Sequence, residues 1–300
     1  DNCAYRLYPQ GTGKRRNEMT DGRTELFSSK PIHTAVLSLA IPTIISQLIT
    51  VIYNMADTFF VGQMGDPAKV AAVSVAMPAF IMLTGIANLF GLGGASLISR
   101  KLGSNDTEGA KHTASFCLLG GIVIALIYGL LCIVLRPAVL PLLGATADTY
   151  DYAYCYILWT TTIGAVPTVL NALLAHLVRA EGAARQAGFG VALGGVLNII
   201  LDPIFIFPLQ MGLTGAAIAT MVSNCIAVLY YAGYLYARRK TTVVGFHMSK
   251  ASFSRNIPKE VVLVGLPGFV MSLMSVISNI TLTRLVASYS TEAIAGIGIA

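Results

Sequence analysis

The chain has 300 residues, of which 55% are hydrophobic and only 11% charged, against about 25% charged in ordinary soluble domains. So few charges cannot cover a water-soluble globule, and a mean hydropathy of +0.71 points to a protein built from several membrane helices. The net charge of +6 sits in loops, where it reads as membrane topology rather than as a nucleic-acid surface.

In chain order, residues 1–31 form a polar N-terminal segment. DNCAYRLYPQGTGKRRNE does not look like a folded element, and Met19 is the sensible start, so residues 1–18 read as non-native. No cleavable signal peptide is visible. Apolar runs then follow at about 35–61, 70–98, 113–135, 153–178, 188–207, 213–237 and 261–289, each long enough to cross a bilayer. An eighth begins near Ala293 and stops inside IAGIGIA, so a fragment of a longer chain is expected.

Basic residues alternate between successive loops. Arg100, Lys101 and Lys111 follow span 2, Arg179 and Arg185 follow span 4, and Arg238, Arg239 and Lys240 follow span 6, while the intervening loops are poor in them. Odd-numbered spans therefore run outward, with the N-terminus cytoplasmic. On that topology Tyr150, Tyr152, Tyr154 and Tyr156 form an outer aromatic belt, and Tyr230, Tyr231, Tyr234 and Tyr236 an inner one. The five cysteines are scattered singly with no metal-ligand spacing and read as reduced packing residues.

The chain also repeats itself. LAIPTIISQLITVIYNMADTFF (39–60) resembles VGLPGFVMSLMSVISNITLTRL (264–285), with Pro42 matching Pro267 and Asn54 matching Asn279. Span 7 is span 1 starting again, and both point the same way. That is the mark of a parallel repeat, as in a six-plus-six transporter. The expected organisation is a first six-helix lobe at 32–237, a cytoplasmic connector at 238–260 and the start of a second lobe at 261–300.

Two acids fall inside the apolar spans, Asp57 in YNMAD and Asp202 in NIILDPIFIF. An acid at mid-helix costs roughly 2.5–3.5 kcal/mol on an insertion scale, and such residues face a cavity or the bundle interior. Both are expected in the outer half of the membrane. Asn198 precedes Asp202 by one turn and Tyr53 precedes Asp57 by one turn, each on the same helix face as its acid. Thr220 in span 6 lies at a similar depth. Carboxylates, amide and hydroxyl at one level make an oxygen-rich site suited to a proton or Na⁺, whose loading can drive a conformational change. The bland alternative is that Asp202 is a packing acid stabilised by Asn198.

IPTIISQLITVIYNMADTFFVGQMG, RAEGAARQ, NIILDPIFIF and GLTGAAIAT together resemble the first lobe of MATE (multidrug and toxic compound extrusion) transporters, of the DinF-like prokaryotic branch, over about Ile32 to Ala300. The resemblance implies an all-α polytopic membrane protein, a 6+6 helix transporter of which this chain holds the first lobe, helix 7 and the start of helix 8. It implies a plasma-membrane antiporter, not an enzyme, that exports amphipathic or cationic drugs by alternating access, with H⁺ or Na⁺ as coupling ion and neither a cofactor nor a structural metal. Its small-molecule substrates and membrane lipid are the expected partners, nucleic acid is not, and a monomer is expected. The family's cation-site residues correspond to Asp57, Asn198, Asp202, Thr220 and Tyr53, and its helix-1 kink proline to Pro42. Span 7 carries Leu282 where span 1 carries Asp57, which confines the site to the first lobe. Arg284 is read as cleft-facing, with snorkelling to the interface as its alternative.

Other signals carry less. GLGGAS (91–96) follows no strand and lacks the Lys-Ser/Thr ending of a phosphate loop, so it reads as close helix packing, as does GFGVALGG (188–195). His176 reads as a satisfied or interfacial histidine. Two competing functions remain. A lipid-linked oligosaccharide flippase would need a basic cleft, yet the first-lobe spans hold acids and no Lys or Arg. An intramembrane aspartyl protease would place its acids in a different motif.

Overall fold

The structure, a computed structural model, describes residues 32–246 and 256–287. The polar N-terminal segment and the eighth apolar run lie outside the described residues. Every regular element among the described residues is helical: α1 Ile32–Gly62, α2 Pro67–Gly103, α3 Thr107–Val134, α4 Arg136–Leu143, α5 Tyr150–Ile157, α6 Ala165–Ala180, α7 Ala184–Ile206, α8 Gly212–Ala237 and α9 Asn256–Ala287. Six of these are long and apolar enough to cross a membrane, and α5 with α6 makes a seventh if the bent pair is one span. The chain is thus an all-α, polytopic membrane protein.

Short polar signals set the helix ends. Asp66 accepts from the Ala68 N–H at 3.0 Å ahead of Pro67, which as first helical residue has no N–H to leave unpaired. Asp106 accepts from the Gly109 N–H at 2.8 Å and from Lys101 at 3.0 Å. The Gly109 N–H and the Lys101 ammonium hold its carboxyl below the usual carboxylate range, so this cap is fully formed at neutral pH and weakens as pH falls through acid. Gly144, at φ 98°, ends α4 in the left-handed conformation glycine favours.

Span 4 departs from the continuous helix its hydropathy predicts. Between α5 and α6 the backbone widens into a π segment, Leu158–Ile163, and the two helices meet at 52°. The Gly164 N–H reaches back five residues to the Trp159 carbonyl at 2.9 Å, and Pro167 brings no N–H to the first turn of α6. Gly129 of α3 permits the bulge to press close: a methyl there would stand 3.1 Å from the Thr162 carbonyl oxygen.

Packing between the long helices follows glycine, as expected where lipid supplies no hydrophobic drive and close van der Waals contact does. The GFGVALGG run splits between two faces of α7. Gly188 and Gly195 face α1, where added methyls would meet the Pro42 carbonyl oxygen at 2.9 Å and Ile49 and Tyr53 at 3.0 and 3.1 Å. Gly190 and Gly194 face α8, against Tyr231 and Ala227. The contacts run parallel between α1 and α7 and antiparallel between α7 and α8, in keeping with alternating spans. GLGGAS is packing too: Gly91 sits on His176, Gly94 on Cys117, and Gly93 on the Val261 carbonyl of α9. With Gly265 against Leu89 and Gly85 against Ser272, these contacts make a long antiparallel α2–α9 seam, joined at one end by an Arg100–Glu260 pair at 3.1 Å.

Two of the expected belt tyrosines are not at the interface. Tyr231 is fully buried and donates to the Ala187 carbonyl at 2.7 Å, pinning α8 to α7. Tyr156 is also buried. Tyrosines on alternate residues step about 200° round the axis, and neighbours such as Tyr230 and Tyr231 about 100°, so neither set of four can face lipid as a whole. Tyr236, 70% exposed, behaves as expected and carries Arg239 on its ring at 4.8 Å.

At the end of the bundle where α6 meets α7, Glu181 is buried in the turn. Its carboxylate accepts from the Thr242 hydroxyl at 2.7 Å and from the Val243 and Val244 N–H groups at 2.5 and 2.9 Å. Ser115 donates to the Gly245 carbonyl at 2.9 Å. The 238–246 stretch is therefore strapped to the six-helix bundle, with Val243 and Val244 entering its core.

Two outcomes test this packing. Gly93→Leu should destabilise the protein by about 1–3 kcal/mol through overpacking at α9, read as a lowered Tm in detergent, while Gly62→Ala, with nothing within 4 Å, should leave Tm unchanged. Glu181→Ala strands buried donors that each cost roughly 1–3 kcal/mol. Trypsin should then cut faster at Arg238, Arg239 and Lys240 without global unfolding.

Candidate cation site

Four helices converge on the two membrane acids. α1 supplies Asp57 and Tyr53, α7 supplies Asn198 and Asp202, α8 supplies Thr220, and α5 supplies Tyr156. The α1–α7 glycine contacts bring the first two together, since Gly195 lets Tyr53 lie flat against α7 one turn before Asn198. Asp202 is fully buried and precedes Pro203, inside α7. The two carboxylates are close enough to act on each other electrostatically, and both act on Tyr53. The structure thus brings Asp57, Asp202, Asn198, Thr220 and Tyr53 together between these helices.

The hydrogen bonds are directional. Asn198 Nδ2 donates to Asp202 Oδ1 at 3.1 Å and to Thr220 Oγ1 at 3.2 Å. Thr220 donates its own proton to the Ala216 carbonyl at 3.1 Å, so a lone pair receives the amide. Tyr156 Oη donates to Asp57 Oδ2 at 3.5 Å, a long contact. Asp57 Oδ1, Asn198 Oδ1 and Asp202 Oδ2 are buried and accept nothing among the described residues. The cluster thus presents three oxygens without a donor. Burying such oxygens is costly unless a positive group meets them, and a proton or a hard monovalent cation suits this set.

Arg284 is exposed at the end of the bundle that carries α4, where its Nη2 donates to the Pro141 carbonyl at 3.2 Å. Pro42 lies inside α1 where that helix crosses Gly188. Proline leaves the carbonyl one turn earlier without its helical donor, which weakens α1 at that level. Below the acids, α1 leans on α7 and leaves Ile44, Ile45, Leu48, Val51, Ile52 and Met55 exposed. No group of three or more His, Cys, Asp or Glu side chains suited to a metal occurs among the described residues.

Sequence reading missed Tyr156, Asn171 and Asn224. Tyr156 was legible only in the spacing of its tyrosine run. Asn171 Nδ2 donates to Asn224 Oδ1 at 2.8 Å, and Asn224 Nδ2 to the Thr220 carbonyl at 3.0 Å. Asparagine in an apolar helix was the available signal. A cavity of about 130 Å³ lies elsewhere, between α1, α2 and α9. Thr58 and Thr283, equivalent positions in the repeat, both line it.

Comparison with known proteins agrees with this architecture. The MatE family model matches residues 42–204. Multidrug export protein MepA of Staphylococcus saprophyticus is 32% identical over 281 residues, which cover 94% of this chain and 62% of that protein. MepA of Staphylococcus aureus strain NCTC 8325 matches at the same identity and coverage. The chain therefore spans about three fifths of the length of these curated relatives. Among solved structures, the outward-facing conformation of a multidrug resistance MATE family transporter of the MOP superfamily superposes with TM-score 0.72 at 34% identity, over 83% of this chain and 54% of that one. An inward-facing conformation of such a transporter gives 0.74 at 31%, over 87% and 60%. A MOP superfamily transporter from Pyrococcus furiosus gives 0.72 at 34%, over 83% and 54%. The arrangement of helices, the paired acids and these likenesses lead to one assignment: the chain belongs to the MATE family of membrane transporters.

Proposed function

We propose that this chain is the first lobe and the opening of the second in a plasma-membrane antiporter that exports amphipathic or cationic compounds against inward H⁺ or Na⁺ movement. The observation that carries the reading is the set of three donor-free buried oxygens on Asp57, Asn198 and Asp202, shared between α1 and α7. The names of the relatives, multidrug export proteins, supply the substrate class. The N-terminus is cytoplasmic in this reading, as the basic loops require.

A cation bound between Asp57 and Asp202 draws α1 toward α7 at the level of the acids. Because α1 is weakened at Pro42, that pull is taken up as a bend rather than as a shift of the whole helix. Bending narrows the space beside α1 and expels a bound drug. The differential contact of the cation with straight and bent α1 is what shifts the balance between the two states. The residues place no internal Lys or Arg in the described part of the first-lobe spans beyond their ends, which suits a cationic cargo.

The test is dye efflux from proteoliposomes holding the full-length transporter, with imposed H⁺ or Na⁺ gradients. Asp202→Asn and Asp57→Asn should each abolish gradient-driven efflux while the protein keeps its Tm. Efflux unchanged by both would assign the acids to packing. Asn198→Leu removes the amide shared by Asp202 and Thr220, a charged hydrogen bond worth about 1.5–3 kcal/mol. It should weaken the activating cation by about tenfold or more, measured as a shift in the concentration giving half-maximal efflux.

A further inference from the structure

The polar line that starts at the acids does not end with Thr220. The Thr220 carbonyl accepts from Asn224 Nδ2 at 3.0 Å, and the same amide reaches Thr168 Oγ1 at 3.3 Å. Asn224 Oδ1 in turn accepts from Asn171 Nδ2 at 2.8 Å. These residues sit on α6 and α8, one or two turns from the acids in the direction of Glu181. The helices meet there across Gly194 of α7: a methyl on it would lie 3.5 Å from Asn171 Nδ2 and 3.8 Å from the Ser223 carbonyl oxygen.

Asparagines between membrane helices commonly serve as interhelical adhesive, and such a pair contributes about 0.6–2 kcal/mol. Here Asn171 Oδ1 and Ser223 Oγ are buried with no partner among the described residues, and Ser223 as a whole is 3% exposed. Two unpaired oxygens thus belong to residues that flank Gly194, where the polar line from the acid site reaches Asn171.

We propose that Asn171, Ser223 and Asn224 form a second, uncharged cation stop, through which the coupling ion passes between the Asp57–Asp202 pair and the Glu181 end of the bundle. The occupant is a monovalent cation, Na⁺ or a hydrated proton. Without a carboxylate the stop holds it weakly, which is what passage requires, since an ion must leave as readily as it enters. This inference rests on the acids being the coupling site.

The experiment uses the full-length transporter in proteoliposomes of known orientation. A carbodiimide modifies the protonated carboxyls of Asp57 and Asp202, and mass spectrometry follows how quickly Na⁺ added to one side protects them, or acid added there speeds their modification. Asn171→Leu should slow this response from the Glu181 side by about tenfold. The response from the opposite side and the half-maximal cation concentration at equilibrium should stay within about twofold, and Asn171→Ser should restore the rate. Gly194→Ala, whose methyl meets only ordinary contacts such as Ala227 Cβ at 3.4 Å, narrows the same passage and should slow the same side, which guards against misfolding of the leucine variant. Equal rates from both sides in Asn171→Leu and Gly194→Ala would overturn the stop while leaving the acid site standing. A wild-type protein whose modification neither Na⁺ nor acid changes from either side would overturn both.

Discussion

The close approach of α7 to its neighbours is the constraint on which the site depends. Gly188 and Gly195 admit α1 on one face, and Gly190 and Gly194 admit α8 on another. Only because both contacts are made at glycine do the next two turns of α7 carry Asn198 and Asp202 into reach of Asp57 and Thr220. Membrane helices gain little from hydrophobic exclusion and must gain from contact, so a glycine run ahead of a polar run brings helices together and then fills the junction with oxygen.

The two sides of that junction are held with different firmness. α8 is fixed to α7 by the buried Tyr231 as well as by the polar bonds of Thr220. α1 has its glycine contacts, the acid pair and the long Tyr156 bond, and much of its remaining surface is exposed. Pro42 sits in α1 at its crossing with α7. The π segment after α5 has a place in the same arrangement, because the bulge begins just beyond Tyr156 and so sets the ring's height against Asp57.

The strap at Glu181 works at the other end. A buried carboxylate that accepts from two backbone N–H groups and a hydroxyl binds the beginning of the connector to the first bundle. α9 packs on the same bundle through the α2–α9 seam. That seam is itself built on Gly93, Gly265 and Gly85.

The sequence by itself determined the membrane class, the seven spans, their alternating direction, the repeat of span 1 in span 7, and the acids with their polar neighbours one turn away. These features are carried by composition and by helical period, which act locally and leave marks along the chain. Tertiary structure alone decided that Tyr156 turns inward, that span 4 breaks into a π segment, that α4 occupies the following-span-3 loop, and that Asn171 and Asn224 join the acid site's polar line. It also decided which glycines face which helix. Each of these depends on what lies across a helix interface, and hydropathy assigns a buried and a lipid-facing side chain the same value.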